Sequence, residues 1–213
     1  MVTGEISTGQ TIDPDARLML RVGDDDAAAF EELVRRYQAR LLTVLHNFMG
    51  SREQAEDLAQ EVFMRAYRAR KRYRAEAKFS TWLFTIASNV AKNAKRSKAR
   101  RKEVNVALED TGGLVTNPLD RMAKAASGQM PTRQLDGVER AEMVRIAMQS
   151  LNERQRLAVL LSKFEGMSYI DIATTMEMSI PAIKSLLSRA RTNLRDVLEP
   201  YIRGGEMPTD STS

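Results

Sequence analysis

Apolar residues recur at three- and four-residue intervals in every patterned stretch of the chain, and nowhere do they alternate. In AFEELVRRYQARLLTVLHNFMG, the residues Phe30, Leu33, Val34, Tyr37, Leu41, Val44, Leu45 and Phe48 fall on one face of a helix. Gly50 stops that helix. Ser51 caps the next, with Gln54 three positions on as its capping-box partner. The second stripe is Ala55, Leu58, Ala59, Val62, Phe63 and Ala66. Ser80 or Thr81 is expected to cap a third helix with a buried stripe of Leu83, Ile86, Ala87, Val90 and Ala94. The last third of the chain reads as four short helices. The first covers about 138–150; Asn152 with Gln155 opens the second and Ser168 with Asp171 the third. After the turn EMS, a last helix runs from about 180 to 201 on an inner stripe of Ile183, Leu186, Leu187, Ala190, Leu194 and Leu198. With no strand signal, the fold class is all-α: two small helical domains joined by a flexible linker.

The rest of the chain carries little pattern. Residues 1–24 read as a loose N-terminal arm without periodicity, running into the acidic triplet Asp24-Asp25-Asp26. Its simplest role is to interact with the dipole of the helix that follows; holding a hard cation is the other reading. Glycines, prolines and scattered apolar residues make 99–137 a linker, with a helical turn around 120–126. The domains are then expected at 25–98 and 138–203, with a tail at 204–213.

Charge is distributed unevenly. From Asp24 to Glu61 there are nine acids and four bases; from Val62 to Lys102 there are fourteen bases and one acid, a net of +13. So concentrated a positive charge points to a polyanion, and for a chain with no apolar run long enough to span a bilayer that means nucleic acid rather than membrane insertion. The N-terminus has no basic start followed by an apolar block, so it does not read as a secretory signal. The absence of cysteine rules out disulfides and thiolate metal sites and fits a cytoplasmic protein. No phosphate loop or hydrolase motif occurs, and the single histidine, His46, lies inside an amphipathic helix. The chain is therefore not expected to be an enzyme, and neither cofactor nor metal is expected.

Two stretches carry nucleic-acid chemistry. The last two helices, joined by a tight turn, form a helix-turn-helix pattern, with Lys184, Ser185, Ser188, Arg189, Thr192 and Arg195 on the outer face. Such a helix fits the major groove, where cations reach guanine acceptors and phosphates. Earlier, in FSTWLFTIASNVAKNAKR, helical spacing sets Trp82, Thr85, Asn89, Lys92 and Arg96 on a face apart from the buried stripe. An indole beside an amide and two cations can stack on an unpaired base and hold its backbone. One stacked base contributes about 1–3 kcal/mol, comparable to the few kcal/mol needed to extrude a nucleotide. Packing of Trp82 on a neighbouring helix is the competing reading. In AEDLAQEVF, Glu56, Asp57, Gln60 and Glu61 form an acidic face that repels DNA and suits a protein partner, or simply solvent.

Three segments occur in order: AEDLAQEVFMRAYR, KFSTWLFTIASNVAKN and LNERQRLAVLLSKFEGMSYIDIATTMEMSIPAIKSLLSRARTNLR. Together they resemble bacterial sigma-70-type initiation factors of the extracytoplasmic-function (ECF) subgroup, over about 25–98 and 138–200. The resemblance implies two domains, sigma2 and sigma4, and a factor that directs promoter-specific initiation. It would bind RNA polymerase core through the β′ clamp helices and the β flap, recognise −35 and −10 elements, and help to open the −10 region. Promoter DNA would be a partner, and an anti-sigma factor a further one.

By the same resemblance, Asp57, Gln60 and Glu61 match the surface that docks on the clamp helices. Trp82 matches the aromatic at the upstream edge of the melted −10 element. Asn89 matches a residue lining the pocket for a flipped base, which the connector 73–78 would close, and Lys92 and Lys95 match backbone contacts. Lys184, Ser185, Ser188 and Arg189 match recognition-helix positions facing the −35 element, and the linker 103–136 would thread toward the RNA exit channel. Pro181 and Ala182 stand where many members have Gly-Thr, Leu186 replaces a frequent arginine, and Ser188 is small where some members carry an aromatic. Two other functions fit parts of the pattern: a duplex-binding regulator independent of polymerase, using only the last helix, and a helical adaptor binding a signalling partner through its acidic face.

Overall fold

The computed structural model describes residues 13–108 and 137–204, and every regular element among them is helical. In chain order these are α1 (Pro14–Gly23), α2 (Ala27–Met49), α3 (Arg52–Arg68), a 3₁₀ turn (Arg70–Arg72), α4 (Phe79–Leu108), α5 (Gly137–Ser150), α6 (Glu153–Lys163), α7 (Tyr169–Met176) and α8 (Ile180–Gly204). The first four helices form one unit and the last four another, and their buried side chains join in a single apolar cluster. Met19, Leu33, Leu41, Leu45, Phe48, Phe79 and Leu83 of the first unit and Leu160, Leu161, Ile172 and Ile183 of the second are all essentially sealed from solvent. Each such side chain contributes about 1.5–3 kcal/mol by leaving water. No helix among the described residues is long and apolar enough to cross a membrane.

The N-terminal arm is corrected by α1. Pro14 stands in its first turn, where a missing N–H costs nothing, and Ala16, Met19 and Val22 are buried beneath it. Gly23 closes α1 against the 3₁₀ turn, where an added Cβ would come within 3.3 Å of the Arg70 carbonyl. The acidic triplet is divided among three jobs. Asp24 follows α1 as its C-cap. Asp25 takes a left-handed backbone (φ 65°), its carboxylate bonded by Arg70 (3.0 Å) and Lys71 (2.6 Å). Asp26 caps α2, accepting the Ala29 N–H at 3.0 Å.

The capping boxes expected at Asn152–Gln155 and Ser168–Asp171 are both formed. At Ser51 only half forms: its hydroxyl accepts the Gln54 N–H, while the buried Gln54 Oε1 has no partner among the described residues. The start of α4 also differs from expectation. The helix already includes Ser80 and Thr81, and the Phe79 N–H donates at 2.8 Å to the Asp13 carboxylate just before α1. The same helix continues to Leu108, so 103–108 belong to α4 rather than to a linker. The turn expected at 120–126 lies outside the described residues.

Candidate nucleic-acid interface

α4 carries one half of the candidate interface. The Asp13 bond fixes its first turn, and Asp15 accepts the Tyr37 hydroxyl at 2.6 Å beside it. Tyr37 and Phe79 meet edge to face at 5.1 Å between centroids. Trp82 packs on both Tyr73 (4.9 Å, 70° between planes) and Phe79 (5.8 Å, 42°). Trp82 is thus half-buried, its indole held by Tyr73 and Phe79 and reaching solvent in part. Burial pushes the Tyr73 phenol up to about 12, so it stays neutral, and its hydroxyl has no partner among the described residues. Asn89, two turns along from Trp82, is exposed, as is Arg96. Thr85 bonds back to the Thr81 carbonyl of its own helix (2.8 Å) and is half-buried.

The two lysines expected on this face are placed differently from Asn89. Lys92 is half-buried, and desolvation lowers its ammonium pKa despite the nearby Glu177. It shares a cleft of about 470 Å³ with Arg96, Arg154, Glu153 and Glu177. Lys95 lies 4.5 Å from the Phe48 ring centroid and pairs with Glu153 at 3.1 Å. The open strip of α4 is therefore Trp82, Asn89 and Arg96, with Lys92 at its border. The expected buried stripe was incomplete: Ile86 and Ala94 are only partly covered, while Phe84 and Ala91, missing from it, are sealed.

α8 carries the other half. Ile183, Leu187 and Ala190 are buried, and Lys184, Ser185, Ser188 and Arg189 are all exposed on the opposite side. The turn before it is built from Glu177, in a left-handed conformation (φ 55°), Met178 and Ser179; the Ser179 hydroxyl accepts the Ala182 N–H at 3.4 Å. The result is a preformed convex face of two cations and two hydroxyls, sized for a groove.

The acidic face is on α3. Asp57 and Gln60 are exposed, and Glu61 pairs with Arg65 at 2.6 Å, a bond that lowers its carboxyl pKa. One turn past Gln60 the Met64 side chain is 49% exposed. An exposed thioether beside acids suits a protein surface better than a phosphate chain. Sequence reasoning missed Met64, although its i+4 spacing from Gln60 was there to be read. Among the described residues no cluster of three or more potential ligands could hold a metal ion.

The chain as a whole is similar to known proteins. A family model described as Sigma-70 region 2 matches residues 33–101, and one described as Sigma-70, region 4 matches residues 141–194. The chain is 34% identical over 201 residues to the RNA polymerase sigma-H factor of Pseudomonas aeruginosa, covering 91% of this chain and 98% of that protein. It is 32% identical over 189 residues to the ECF RNA polymerase sigma-E factor of Haemophilus influenzae, covering 88% and 97%. In fold it resembles CnrH, solved in complex with the cytosolic domain of CnrY (TM-score 0.63, 21% identity, 88% of this chain and 98% of that one). It also resembles the sigma factor RpoE of Bartonella quintana, solved with the anti-sigma factor NepR (TM-score 0.58, 25% identity, 80% and 96%).

Proposed function

This chain belongs to the ECF subgroup of the sigma-70 family, and from that premise we propose that it binds RNA polymerase core and directs initiation at promoters with −35 and −10 elements. It acts in the cytoplasm, where the polymerase is. The observation that carries this reading is the pairing, in one chain, of a duplex-reading helix with a strip suited to an unpaired strand. A regulator that reads duplex alone needs only α8 and leaves the Trp82–Asn89 strip of α4 without a purpose.

The division of labour follows the chemistry of each face. Lys184, Ser185, Ser188 and Arg189 read the −35 duplex, the cations reaching guanine edges or phosphates. Trp82 stacks on a base released from the −10 region and Asn89 hydrogen-bonds its polar edge. Arg96, with Lys92, Lys95 and Thr85, lies along the strand's backbone. Asp57, Gln60 and Glu61 dock on the polymerase β′ clamp, where the exposed Met64 adds apolar contact, and the second unit meets the β flap. An anti-sigma factor is a further partner, supported by the RpoE–NepR likeness. The decisive assay is transcription with purified core polymerase on genomic DNA from the source cell. Defined transcript starts should appear only when this chain is added, and their absence on every template would refute the proposal.

A further inference from the structure

We propose that the cleft between α4, α6 and the turn before α8 is a binding site for the linked phosphates of a small ligand, of the kind carried by a nucleoside di- or triphosphate. Binding itself is independent of the promoter-opening reading above; only its consequence for the strand rests on that reading.

Three cations converge there. Lys92 and Arg96 of α4 and Arg154 of α6 line one cleft of about 470 Å³, within the roughly 300–1,000 Å³ usual for small-ligand sites. None of their side chains makes an ion pair or a hydrogen bond among the described residues. Two acids share the cleft. Glu153 is taken up by Lys95 at 3.1 Å, and Glu177 favours the charged form of Lys92 without pairing with it. Lys92 is half-buried, and desolvation lowers its ammonium pKa; Arg154 and Arg96 lower it further. A cation held partly out of water beside two others is an arrangement that an anion relieves. The start of α6 adds to the same charge. Glu153 and Arg154 are its first two residues, and the Asn152 cap accepts the Gln155 N–H at 2.9 Å, so the N–H groups of Glu153 and Arg154 have no partner within the helix.

The enclosure selects the ligand. A strand laid along α4 meets Lys92 and Arg96 only, whereas Arg154 comes from a different helix and Glu177 and Met178 bound the cleft from the turn before α8. Such a site takes a compact group with several charges on neighbouring atoms, not a chain with one charge per nucleotide. Two guanidinium forks and an ammonium match the oxygens of linked phosphates. Leu157, Met176 and Met178 give the wall an apolar part, which suits a ribose or a base better than a further phosphate. Lys92 and Arg96 are also the cations proposed to follow the opened strand, so ligand and strand draw on the same charges and compete for them.

The test is isothermal titration of the full chain, without polymerase, with ATP, inorganic triphosphate and sulfate at one fixed ionic strength. Both phosphate ligands are expected to bind, and sulfate at least about tenfold more weakly. Tighter binding of ATP than of triphosphate assigns the site to nucleotides through its apolar wall; equal binding assigns it to the phosphates alone. Arg154 is exposed, so its replacement does not threaten folding. Arg154→Ala is expected to weaken both phosphate ligands about tenfold, and Arg154→Lys to keep most of the affinity. Arg17→Ala removes an exposed cation of α1 outside the cleft and is expected to change neither. Equal losses in Arg154→Ala and Arg17→Ala, or sulfate held as tightly as triphosphate, would mean only a general attraction of anions to a basic chain and overturns the proposal. So does the absence of binding by both phosphate ligands. Each of these failures leaves the promoter-opening reading standing, because no polymerase or promoter enters the measurement.

Discussion

α4 and α8 are both long helices with a polar strip proposed to face DNA, yet one is half covered and the other open. α8 buries a single side, through Ile183, Leu187 and Ala190, and its opposite side is free. α4 is covered more widely: Leu83, Phe84, Ala87, Ser88, Val90 and Ala91 are all buried, and Leu157 and Leu161 of α6 join Val44, Leu45 and Phe48 of α2 around Phe84, Ala87, Ser88 and Ala91. What remains is a narrow strip. The difference fits the ligands proposed for the two helices. A duplex can be read by any rigid convex face, so α8 needs no preparation. An unpaired base must be stacked, so α4 needs a ring held firmly by Tyr73 and Phe79 that still reaches solvent in part.

The largest effect should come from emptying the α4 strip. Trp82→Ala with Asn89→Ala removes a stacking platform typically contributing about 1–3 kcal/mol, together with its amide partner, so promoter opening should fall roughly 10- to 100-fold. Binding to core polymerase should be retained. Opening is read by permanganate reactivity of unpaired thymines; wild-type reactivity in the double variant would erase the distinction between the two helices. Asn89 is exposed, so Asn89→Ala alone separates loss of recognition from loss of folding.

A change away from both helices tests whether the contrast belongs to them. Asp57→Ala with Gln60→Ala should weaken binding to core polymerase about tenfold, by roughly 1.4 kcal/mol, with helical content unchanged. Equal affinity in a titration against core would remove α3 from the polymerase surface.

On α8 the spacing named Ile183, Leu187 and Ala190, which are sealed, and Leu186, Leu194 and Leu198, which are only half-buried, and it set Lys184 and Arg189 outward, where they are. What the sequence did not show of α4 is a matter of range. Part of the cover of Phe84 and Ala91 leaves no local trace, because Leu157 and Leu161 lie about seventy positions away. Likewise Asp13 takes the Phe79 N–H from 66 residues upstream, where local capping rules look only to Ser80 and Thr81. α1 was missed because ten residues with three buried apolar side chains are too few to stand out. Pro14 followed by Ala16, Met19 and Val22 was the available signal. In the site, Asn89 and Arg96 were legible because they face water, whereas the pairing of Lys95 with Glu153 is purely tertiary.

A smaller effect is expected on α8. Replacing Lys184 or Arg189 singly by Ala should weaken −35 duplex binding several-fold. If the lost cation held a phosphate, affinity falls evenly across sequences and the log–log salt slope decreases by about 1; if it read a base, discrimination at one position is lost instead. Neither outcome should alter permanganate reactivity once the complex is formed. A change there would mean that the two helices do not divide the work.

The smallest effect concerns the buried cover of α4, where α6 joins α2. Ser88 is 2% exposed and its hydroxyl has no partner among the described residues. An unsatisfied buried hydroxyl costs about 1–3 kcal/mol while it stays buried, so Ser88→Ala should not destabilise the chain and is expected to raise its midpoint in urea. Leu157 and Leu161 of α6 line the same pocket as Ser88, so the gain is to be read in the full chain. A clear loss of stability in the full chain would show the hydroxyl to be bonded in solution, and the α4–α6 contact to be wetter and looser than a sealed one.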